Sequence, residues 1–336
     1  MTGISFYLND PQAEERIIYS ARIGVKRGFT SLHIPEESGN LAKRAKQLLN
    51  LAQKNHIDVY ADVSSKTPSH LGIDSLFHLK ELGVTGLRLD DFFDYPSIAK
   101  LAMEFKIAIN ASILFEEDIQ LLLNNGLKSE QLIGWHNYYP RRETGLSEEF
   151  FREQNELFRR YGIPIFAFVP GTGEKRGPLF EGLPTLEQHR LKDPFMAALE
   201  LYKNGIKDIF IGDPEPGEQL LKRMVDLDNG KFIIRTEQGF DKLGKYYLRP
   251  DASKDVLRFM DTRVSIPVSP QQNHPRPRGA ITIDNDLYGR YRGEMMITLT
   301  DLPADRRVNV VGRVEKDDLP LLEYLKLKSK MIIELV

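Results

Sequence analysis

The sequence predicts a closed barrel of eight alternating strand and helix units, followed by a smaller, mainly β domain. Two observations predict the barrel: short apolar runs alternate with longer amphipathic runs through the first two thirds of the chain, and there are eight such pairs. A third observation predicts the second domain, because from about Asn229 short runs of alternating apolar and polar residues lie between proline-rich turns. We therefore place the barrel at residues 1–228 and the β domain at residues 229–336.

The predicted barrel strands are short and rich in apolar residues, as the strands of a buried parallel sheet are. They begin near Ile4, Thr30, Ile57, Thr85, Ile107, Leu132, Ile163 and Asp208. A helical pattern follows each strand, with apolar residues at steps of three and four, as in Ala45, Leu48, Leu49 and Ala52. An open doubly wound sheet is the lesser alternative, since eight units joined by right-handed crossovers close naturally into a (β/α)8, or TIM, barrel.

Glycines and one long insertion mark the connections between these elements. Glycines fall just after predicted helices, where a left-handed backbone conformation is favoured, at Gly28, Gly83, Gly126, Gly162 and Gly205. The longest step between strands contains an insertion from Gly171 to Arg190 that is rich in Gly and Pro. Because the loops after barrel strands surround the catalytic face, we expect this insertion to overhang that face.

Alternating runs predict the strands of the second domain. Proline-rich turns separate them, especially between Pro267 and Pro277. The predicted strands occupy residues 231–236, 279–283, 294–299, 308–314 and 330–335.

Composition excludes several classes of protein. The 336 residues include 46 Lys and Arg and 48 Asp and Glu, and the net charge of −2 argues against nucleic acid or an anionic membrane as the main partner. The absence of cysteine excludes disulfides, thiolate metal sites and a cysteine nucleophile. No apolar run reaches the roughly 18 residues of a membrane helix, and the amino terminus lacks the features of a signal peptide. We therefore expect a cytoplasmic protein.

Polar residues at the carboxyl ends of the predicted strands are the candidates for chemistry, because the active sites of such barrels lie there. Asp62 ends the third strand and Asp90 the fourth, and Asp213 and Glu215 follow the eighth. Adjacent parallel strands lie about 5 Å apart, so Asp62 and Asp90 are close enough for paired acid–base work. The alternative role for either residue is a helix cap or an ion pair with Arg88.

Groups suited to a sugar and to a phosphate surround these carboxylates. The ends of the fifth and sixth strands carry amide, imidazole and phenol groups that suit sugar hydroxyls or an acetamido group, at Asn110, His136, Asn137 and Tyr138. Barrels commonly bind phosphate near the loops after strands seven and eight, and the cations near this face are Arg141, Arg142, Lys175, Arg176 and Arg190, with Arg276 and Arg278 of the second domain as further candidates. The spacing typical of a metal site is missing around His33, Glu36, Asp62 and His136, so no metal is expected.

Several segments resemble those of the bacterial 6-phospho-N-acetylmuramidase family, and the resemblance covers nearly the whole chain. They are FTSLHIPEE at Phe29 to Glu37, GLRLD at Gly86 to Asp90, NAS at Asn110 to Ser112, WHNYYPRRETG at Trp135 to Gly145, RGPLFEGLPTLEQHR at Arg176 to Arg190, IGDP at Ile211 to Pro214 and RGAITIDNDLYGRYRGE at Arg278 to Glu294. The resemblance implies a TIM barrel followed by a cyclophilin-like domain. It also implies cytoplasmic hydrolysis of the β-1,4 bond between 6-phospho-N-acetylmuramic acid and N-acetylglucosamine during the recycling of cell-wall peptidoglycan. Our own hypothesis is that this hydrolysis uses no metal or organic cofactor.

The resemblance further implies roles for single residues. Matching positions are Asp62, Asp90, Asn110, His136, Asn137, Glu187, His189 and Arg190. Asp90 is the first choice for a catalytic residue, and Asp62 or Glu187 would supply the second carboxylate. In the second domain, Tyr288 and Arg290 are candidates to complete the phosphate pocket.

Two other functions use the same groups. A phosphosugar aldolase or isomerase would share the phosphate pocket, although no predicted strand offers the lysine that a Schiff-base aldolase needs. A non-catalytic sugar-phosphate binding protein or surface protein would bind the ligand without turnover. For a hydrolase, retaining, inverting and substrate-assisted routes are all compatible with these residues.

Overall fold

The computed structural model describes residues 1–32, 41–89, 93–251, 253–325 and 331–336. Contacts divide the chain into two compact units, Met1–Val225 and Asp226–Val336. The first contains a closed barrel of eight parallel strands that follow one another in sequence order, and the second contains two small sheets. The predicted TIM barrel and the mainly β character of the second domain are therefore confirmed.

Strands and helices alternate along the first unit. The strands are β1 (Thr2–Ser5), β2 (Arg27–Ser31), β3 (Asp58–Val63), β4 (Val84–Leu89), β5 (Lys106–Asn110), β6 (Leu132–Trp135), β7 (Ile165–Val169) and β8 (Asp208–Ile211). The helices are α1 (Ala13–Ile23), α2 (Leu41–Lys54), α3 (Thr67–Leu71), α4 (His78–Glu81), α5 (Tyr95–Leu101), α6 (Glu116–Asn124), α7 (Glu148–Arg160), α8 (Pro194–Lys203) and α9 (Glu218–Asp228). Pairing of β1 with both β2 and β8 closes the barrel. In the described ranges, every helix is too short or too polar to cross a bilayer.

Aromatic side chains fill the interior of the barrel. The cluster consists of Phe29, Tyr60, Ala108, Ile133, Trp135, Phe166, Phe168 and Phe210. Trp135 is fully buried, and its ring centroid lies 4.5 Å from that of Phe210. Two glycines make room for large rings, because a Cβ at Gly3 would overlap Phe210 and a Cβ at Gly86 would overlap Tyr60. The single tryptophan is thus a packing residue of the interior.

The alternation of side chains along each strand places polar residues one layer above the aromatic ones. Tyr60 points into the barrel, so Asp62, two residues later, points the same way at the carboxyl end. In the same way, Asn110 lies two residues after the interior residue Ala108 and points to the same side of the strand. The register of β3 and β4 sets Asp62 beside Arg88. Period-two patterning therefore builds a polar layer at the barrel mouth.

Four of the five predicted left-handed glycines have positive φ, namely Gly83, Gly126, Gly162 and Gly205. The prediction for Gly28 was wrong, because this residue lies inside β2 and its missing side chain leaves space for Phe6. Gly24, with φ of 111°, ends α1 instead. The error has a simple origin: β2 begins at Arg27, ahead of the predicted start at Thr30.

Two small sheets form the second unit. In one, β9 (Lys231–Ile234) and β10 (Gly244–Tyr247) flank β15 (Ile332–Leu335). The other has the order β11 (Val256–Arg258), β13 (Met295–Thr298), β12 (Ala280–Asp284) and β14 (Val308–Arg313). The runs predicted as strands correspond to every strand of the two sheets except β10 and β11. These two strands are short and only partly buried, so the alternation of apolar and polar residues along them is weak. The likeness to cyclophilin stays a prediction.

Candidate active site

A buried ion pair lies at the carboxyl ends of β3 and β4. Nη1 of Arg88 is 2.6 Å from Oδ1 of Asp62, and the two side chains are only 5% and 4% exposed. Nη2 of Arg88 donates to Oδ1 of Asn137, which follows β6. The sequence offered this ion pair as the alternative role for Asp62, and the structure contains it. At the mouth of the barrel, Asp62 is therefore paired with a guanidinium group.

Asp90, the first choice for a catalytic residue, directly follows β4 in sequence because that strand ends at Leu89. The structure describes residues up to Leu89 and again from Phe93, so the Asp90 carboxylate lies outside the described residues. His33 and Glu36, which were considered for a metal site, also lie outside them. Across the ranges that the structure does describe, no three or more His, Asp or Glu side chains are grouped to hold a metal ion.

Two asparagines present amide donors at the mouth. Oδ1 of Asn110 accepts a hydrogen bond from the backbone N–H of Ser112 at 3.0 Å. Oδ1 of Asn137 accepts from Arg88, and the backbone N–H of Asn137 donates to Oγ of Ser112 at 2.9 Å. Neither amide nitrogen has a hydrogen-bond partner among the described residues. Fixed amide donors of this kind suit the oxygens of a sugar or of an acetamido group.

His136 lies behind these asparagines and has no exposed surface. Its Nε2 is 2.8 Å from Oδ1 of Asn155 on α7, and its Nδ1 is 3.3 Å from Oγ of Ser112. Burial lowers the pKa of His136 to about 4, so the ring is neutral near pH 7. A neutral ring with a proton on Nε2 donates to Asn155 and accepts from Ser112, which in turn supports Asn137. The contact of His136 with substrate stays a prediction.

Tyr7, Tyr138 and Arg176 cover the aromatic interior. The ring of Tyr138 packs edge-on against Phe168 at 5.1 Å, and its hydroxyl accepts from Nη1 of Arg176 at 2.7 Å. The Arg176 guanidinium lies over the ring of Tyr7, 3.9 Å from its centroid. Burial raises the pKa of both tyrosines, so both hydroxyls stay neutral. Arg176, which was predicted to bind phosphate, therefore lies at the mouth.

Arg190 ties together segments of the insertion. Its Nε and Nη2 each lie 2.7 Å from a carboxylate oxygen of Glu187. The remaining N–H groups donate to the backbone oxygens of Arg141, Glu181 and Gly182. Because arginine has five N–H groups, all of its donors have acceptors within the protein. These contacts favour a structural role over the predicted role in binding, which stays a prediction.

The carboxylate of Glu187 is a hydrogen-bond acceptor. The Arg190 guanidinium and the backbone N–H of Gly145, which is 2.8 Å away, hold the pKa of Glu187 at about 2. A group with so low a pKa does not donate a proton near neutral pH, so a catalytic role would have to use the ionised form. The neighbouring His189 is fully buried, with Nε2 3.1 Å from Glu200 of α8, and burial lowers its pKa. The roles of Glu187 in catalysis and of His189 in binding stay predictions.

Four candidate binding residues belong to the second unit, namely Arg276, Arg278, Tyr288 and Arg290. Arg278 donates to a backbone oxygen of its own unit. The ring of Tyr288 is covered by the guanidinium of Arg307 at 4.5 Å, and Arg290 lies over the ring of Tyr291 at 5.0 Å. A part for Arg278, Tyr288 and Arg290 in phosphate binding stays a prediction.

Two residues of the mouth received no role in the sequence analysis. Tyr7 follows β1, and its hydroxyl donates to the backbone oxygen of Gly212 at 2.6 Å. Asp213 was noted at the end of β8 but received no role; it accepts backbone hydrogen bonds from the insertion after β7. The position of Tyr7 two residues beyond β1 is a signal that strand alternation could have used. The partners of Asp213 come from another loop, and no local pattern indicates them.

Comparison with known proteins identifies the family. The model described as 6-phospho-N-acetylmuramidase, N-terminal, matches residues 2–226, and the model described as 6-phospho-N-acetylmuramidase, C-terminal, matches residues 231–334. No curated protein matches the chain significantly. Among solved structures, the chain is similar over its whole length to a conserved Enterococcus faecalis protein with an unknown function, at 36% identity, 96% coverage of that chain and a TM-score of 0.81.

A second solved structure, of an uncharacterised B. cereus protein, is also similar over the whole of this chain. It shares 27% identity, is covered to 99% and gives a TM-score of 0.75. Both structural neighbours contain the barrel and the second unit together, since the match covers all of this chain. Because the two family models span residues 2–226 and 231–334, the chain belongs to the 6-phospho-N-acetylmuramidase family.

Proposed function

We propose that the protein is a glycoside hydrolase that cleaves the β-1,4 bond between 6-phospho-N-acetylmuramic acid and N-acetylglucosamine. The observation that carries this proposal is the polar layer over the barrel interior, in a chain whose two units both match this family. That layer combines a carboxylate, amide donors and a guanidinium group, at Asp62, Asn110, Asn137 and Arg176. The cellular role that follows is recycling of cell-wall fragments in the cytoplasm.

In this proposal, Asp90 and Asp62 have different catalytic roles. Glycoside hydrolysis proceeds through a transition state with positive charge on the sugar ring, and it needs one carboxyl group that delivers a proton and one that is ionised. Asp62 is paired with Arg88, and a carboxylate in an ion pair is suited to stabilising positive charge rather than to donating a proton. We therefore assign proton donation to Asp90, which directly follows β4.

The other groups of the polar layer suit an amino sugar that carries a phosphate. The amide nitrogens of Asn110 and Asn137 are donors for the acetamido oxygen or for ring hydroxyls. The Arg176 guanidinium supplies a positive charge of the planar kind that suits phosphate oxygens. Tyr7 and Tyr138 hold that guanidinium at the mouth through neutral rings and a hydroxyl.

Turnover of the phosphorylated disaccharide by Asp90→Asn and Asp94→Asn variants tests the proposal. Asp94 is an exposed residue that caps α5 by accepting from the backbone N–H of Ser97 at 2.8 Å, and asparagine caps helices equally well. Loss of the general acid lowers kcat by about 10²–10⁴-fold, whereas Asp94→Asn leaves kcat unchanged.

Activity of Asp90→Asn within tenfold of the wild type would remove Asp90 from the chemistry. Saturable binding of the phosphorylated sugar by the wild type with no turnover would overturn the hydrolase and favour a binding protein. Trapping of a covalent adduct by borohydride would favour an aldolase of the Schiff-base type instead.

A further inference from the structure

Asp213 is a buried carboxylate whose partners come from the insertion after β7. Its side chain has no exposed surface. Oδ2 accepts the backbone N–H of Gly171 at 2.9 Å, and Oδ1 accepts the backbone N–H of Arg176 at 3.1 Å. Nζ of Lys175 lies 3.7 Å from Oδ2. One side chain at the end of β8 thus fixes both ends of the segment 171–176.

Further contacts fix the middle of the same segment. The backbone N–H of Thr172 donates to the oxygen of Pro216 at 3.1 Å, and that of Glu174 donates to Oε2 of Glu215 at 2.8 Å. A Cβ at Gly173 would overlap the side chain of Glu215 as it lies here, so glycine allows this close approach. The backbone of segment 171–176 therefore follows a path that protein contacts determine.

The Arg176 side chain continues from this fixed backbone to the mouth. Asp213 holds its N–H at one end, and Tyr7 and Tyr138 contact its guanidinium at the other. A long side chain that is ordered on binding loses up to about 2 kcal/mol of rotamer entropy. A guanidinium that is already held in place avoids much of this loss when it meets an anion.

We propose that Asp213 is a positioning residue for recognition of the substrate's 6-phosphate, because it anchors segment 171–176 and so holds the Arg176 guanidinium where the phosphate binds. This inference rests on the proposed function for the identity of the phosphorylated sugar. Asp213 does not itself contact the phosphate, since it has no exposed surface and its charge would repel a dianion. Its effect is exerted through Arg176, and it concerns the phosphate rather than the sugar.

Binding of N-acetylmuramic acid 6-phosphate and of unphosphorylated N-acetylmuramic acid tests this role by calorimetry on the full-length chain. In Asp213→Asn, one carboxylate oxygen becomes an NH2 group that cannot accept the N–H of Gly171 or Arg176. We expect affinity for the phosphorylated sugar to fall by about tenfold or more, because a buried backbone donor loses its acceptor. Affinity for the unphosphorylated sugar should change by less than about twofold.

The Arg176→Ala variant and the double variant Asp213→Asn/Arg176→Ala measure the coupling between the two residues in phosphate binding. If Asp213 acts through Arg176, then Asp213→Asn causes little further loss of phosphate affinity once Arg176 is alanine. Asp193→Asn is the matched control: Asp193 caps α8 by accepting from the backbone N–H of Met196 at 2.9 Å, and asparagine retains the cap. This control should bind both sugars as the wild type does.

Equal loss of affinity for both sugars in Asp213→Asn, or fully additive losses in the double variant, would overturn the inference. If the wild type prefers the phosphorylated sugar and Asp213→Asn keeps that preference, the role of Asp213 is contradicted but the proposed function is not. A wild type without any such preference contradicts the proposed substrate.

Hydrogen exchange in the wild type provides a test that does not depend on folding of a variant. The amides of Gly171 and Arg176 should exchange slowly, because both donate to a carboxylate that has no exposed surface. Exchange at the rate of an open loop would overturn the anchoring role.

Discussion

Arg176 and Arg190 lie in the same insertion, and their side chains have different contacts. The donors of Arg190 are taken up by Glu187 and by backbone oxygens, so this guanidinium holds loop segments together. Arg176 lies against the phenol groups of Tyr7 and Tyr138 above the barrel interior. At the scale of single residues, the contacts of Arg190 favour a structural role, and phosphate binding by Arg176 stays a proposal.

Arg190→Ala should therefore destabilise the protein. Its removal takes two donors from the Glu187 carboxylate and leaves backbone oxygens of the insertion unpaired with Arg190, so we expect the free energy of unfolding to fall by about 2 kcal/mol. Denaturant unfolding measures this change. The control is Arg152→Ala, since Arg152 is 62% exposed and pairs with Glu148 at the surface; exposed pairs of this kind contribute little. Equal effects of the two substitutions would contradict the structural role of Arg190.

The lowered pKa of the buried His136 should make the stability of the protein depend on pH. Its pKa is about 4 in the folded protein and about 6.5 when the chain is unfolded, so between these values the unfolded chain binds a proton that the folded protein does not. The stabilisation is complete above pH 6.5 and is lost as the pH falls towards 4. The loss is at most about 1.4 kcal/mol per pH unit for this one group.

Unfolding curves of His136→Gln between pH 7 and pH 4.5 check this prediction. The variant should show a shallower decline of the free energy of unfolding than the wild type. His70→Gln, which changes an exposed residue of α3, should decline as the wild type does. An unchanged slope in His136→Gln would contradict the burial of a neutral ring.

At the scale of elements, the barrel strands set the height at which each side chain lies. Large rings occupy the interior layer, and glycines on the neighbouring strands give them space, as Gly3 does for Phe210 and Gly86 for Tyr60. The polar side chains of the mouth lie one step of two residues further along the strands, as Asp62 does after Tyr60. The height of the site therefore depends on the packing beneath it.

Gly3→Ala should disturb this packing. The added Cβ overlaps the buried ring of Phe210, and overpacking of a core costs about 1–3 kcal/mol of stability. Phe210→Leu provides the matched test, because a smaller side chain removes the overlap. The double variant should be less destabilised than the sum of the single variants, as measured by denaturant unfolding. Additive effects would show that the two residues do not compete for the same space.

Strand alternation also explains which parts of the site could be predicted. The positions of Asp62 and Asn110 followed from the strand pattern alone, since residues at strand ends face the mouth every second position. The contact between Asp213 and Arg176 could not be predicted in this way, because it joins the loops after two different strands. The short strands β10 and β11 escaped prediction because partly buried residues give a weak alternating signal.

At the scale of the whole molecule, closure of the barrel brings the polar layer together. Its members come from β3, β4, β5 and the segment after β6, and the insertion after β7 is anchored by Asp213 after β8. Pairing of β1 with β8 completes the ring on which these loops stand. Sequence could place each group at the end of a strand, whereas the partners of each group depend on the closed ring.

Incubation of the wild-type protein with MurNAc-GlcNAc in 6-phosphorylated and unphosphorylated forms tests the central claim most directly. Mass spectrometry of the products reports which disaccharide is cleaved. The account predicts that the phosphorylated disaccharide alone yields N-acetylglucosamine and 6-phospho-N-acetylmuramic acid. Cleavage of both disaccharides at the same rate, or of neither, would contradict it.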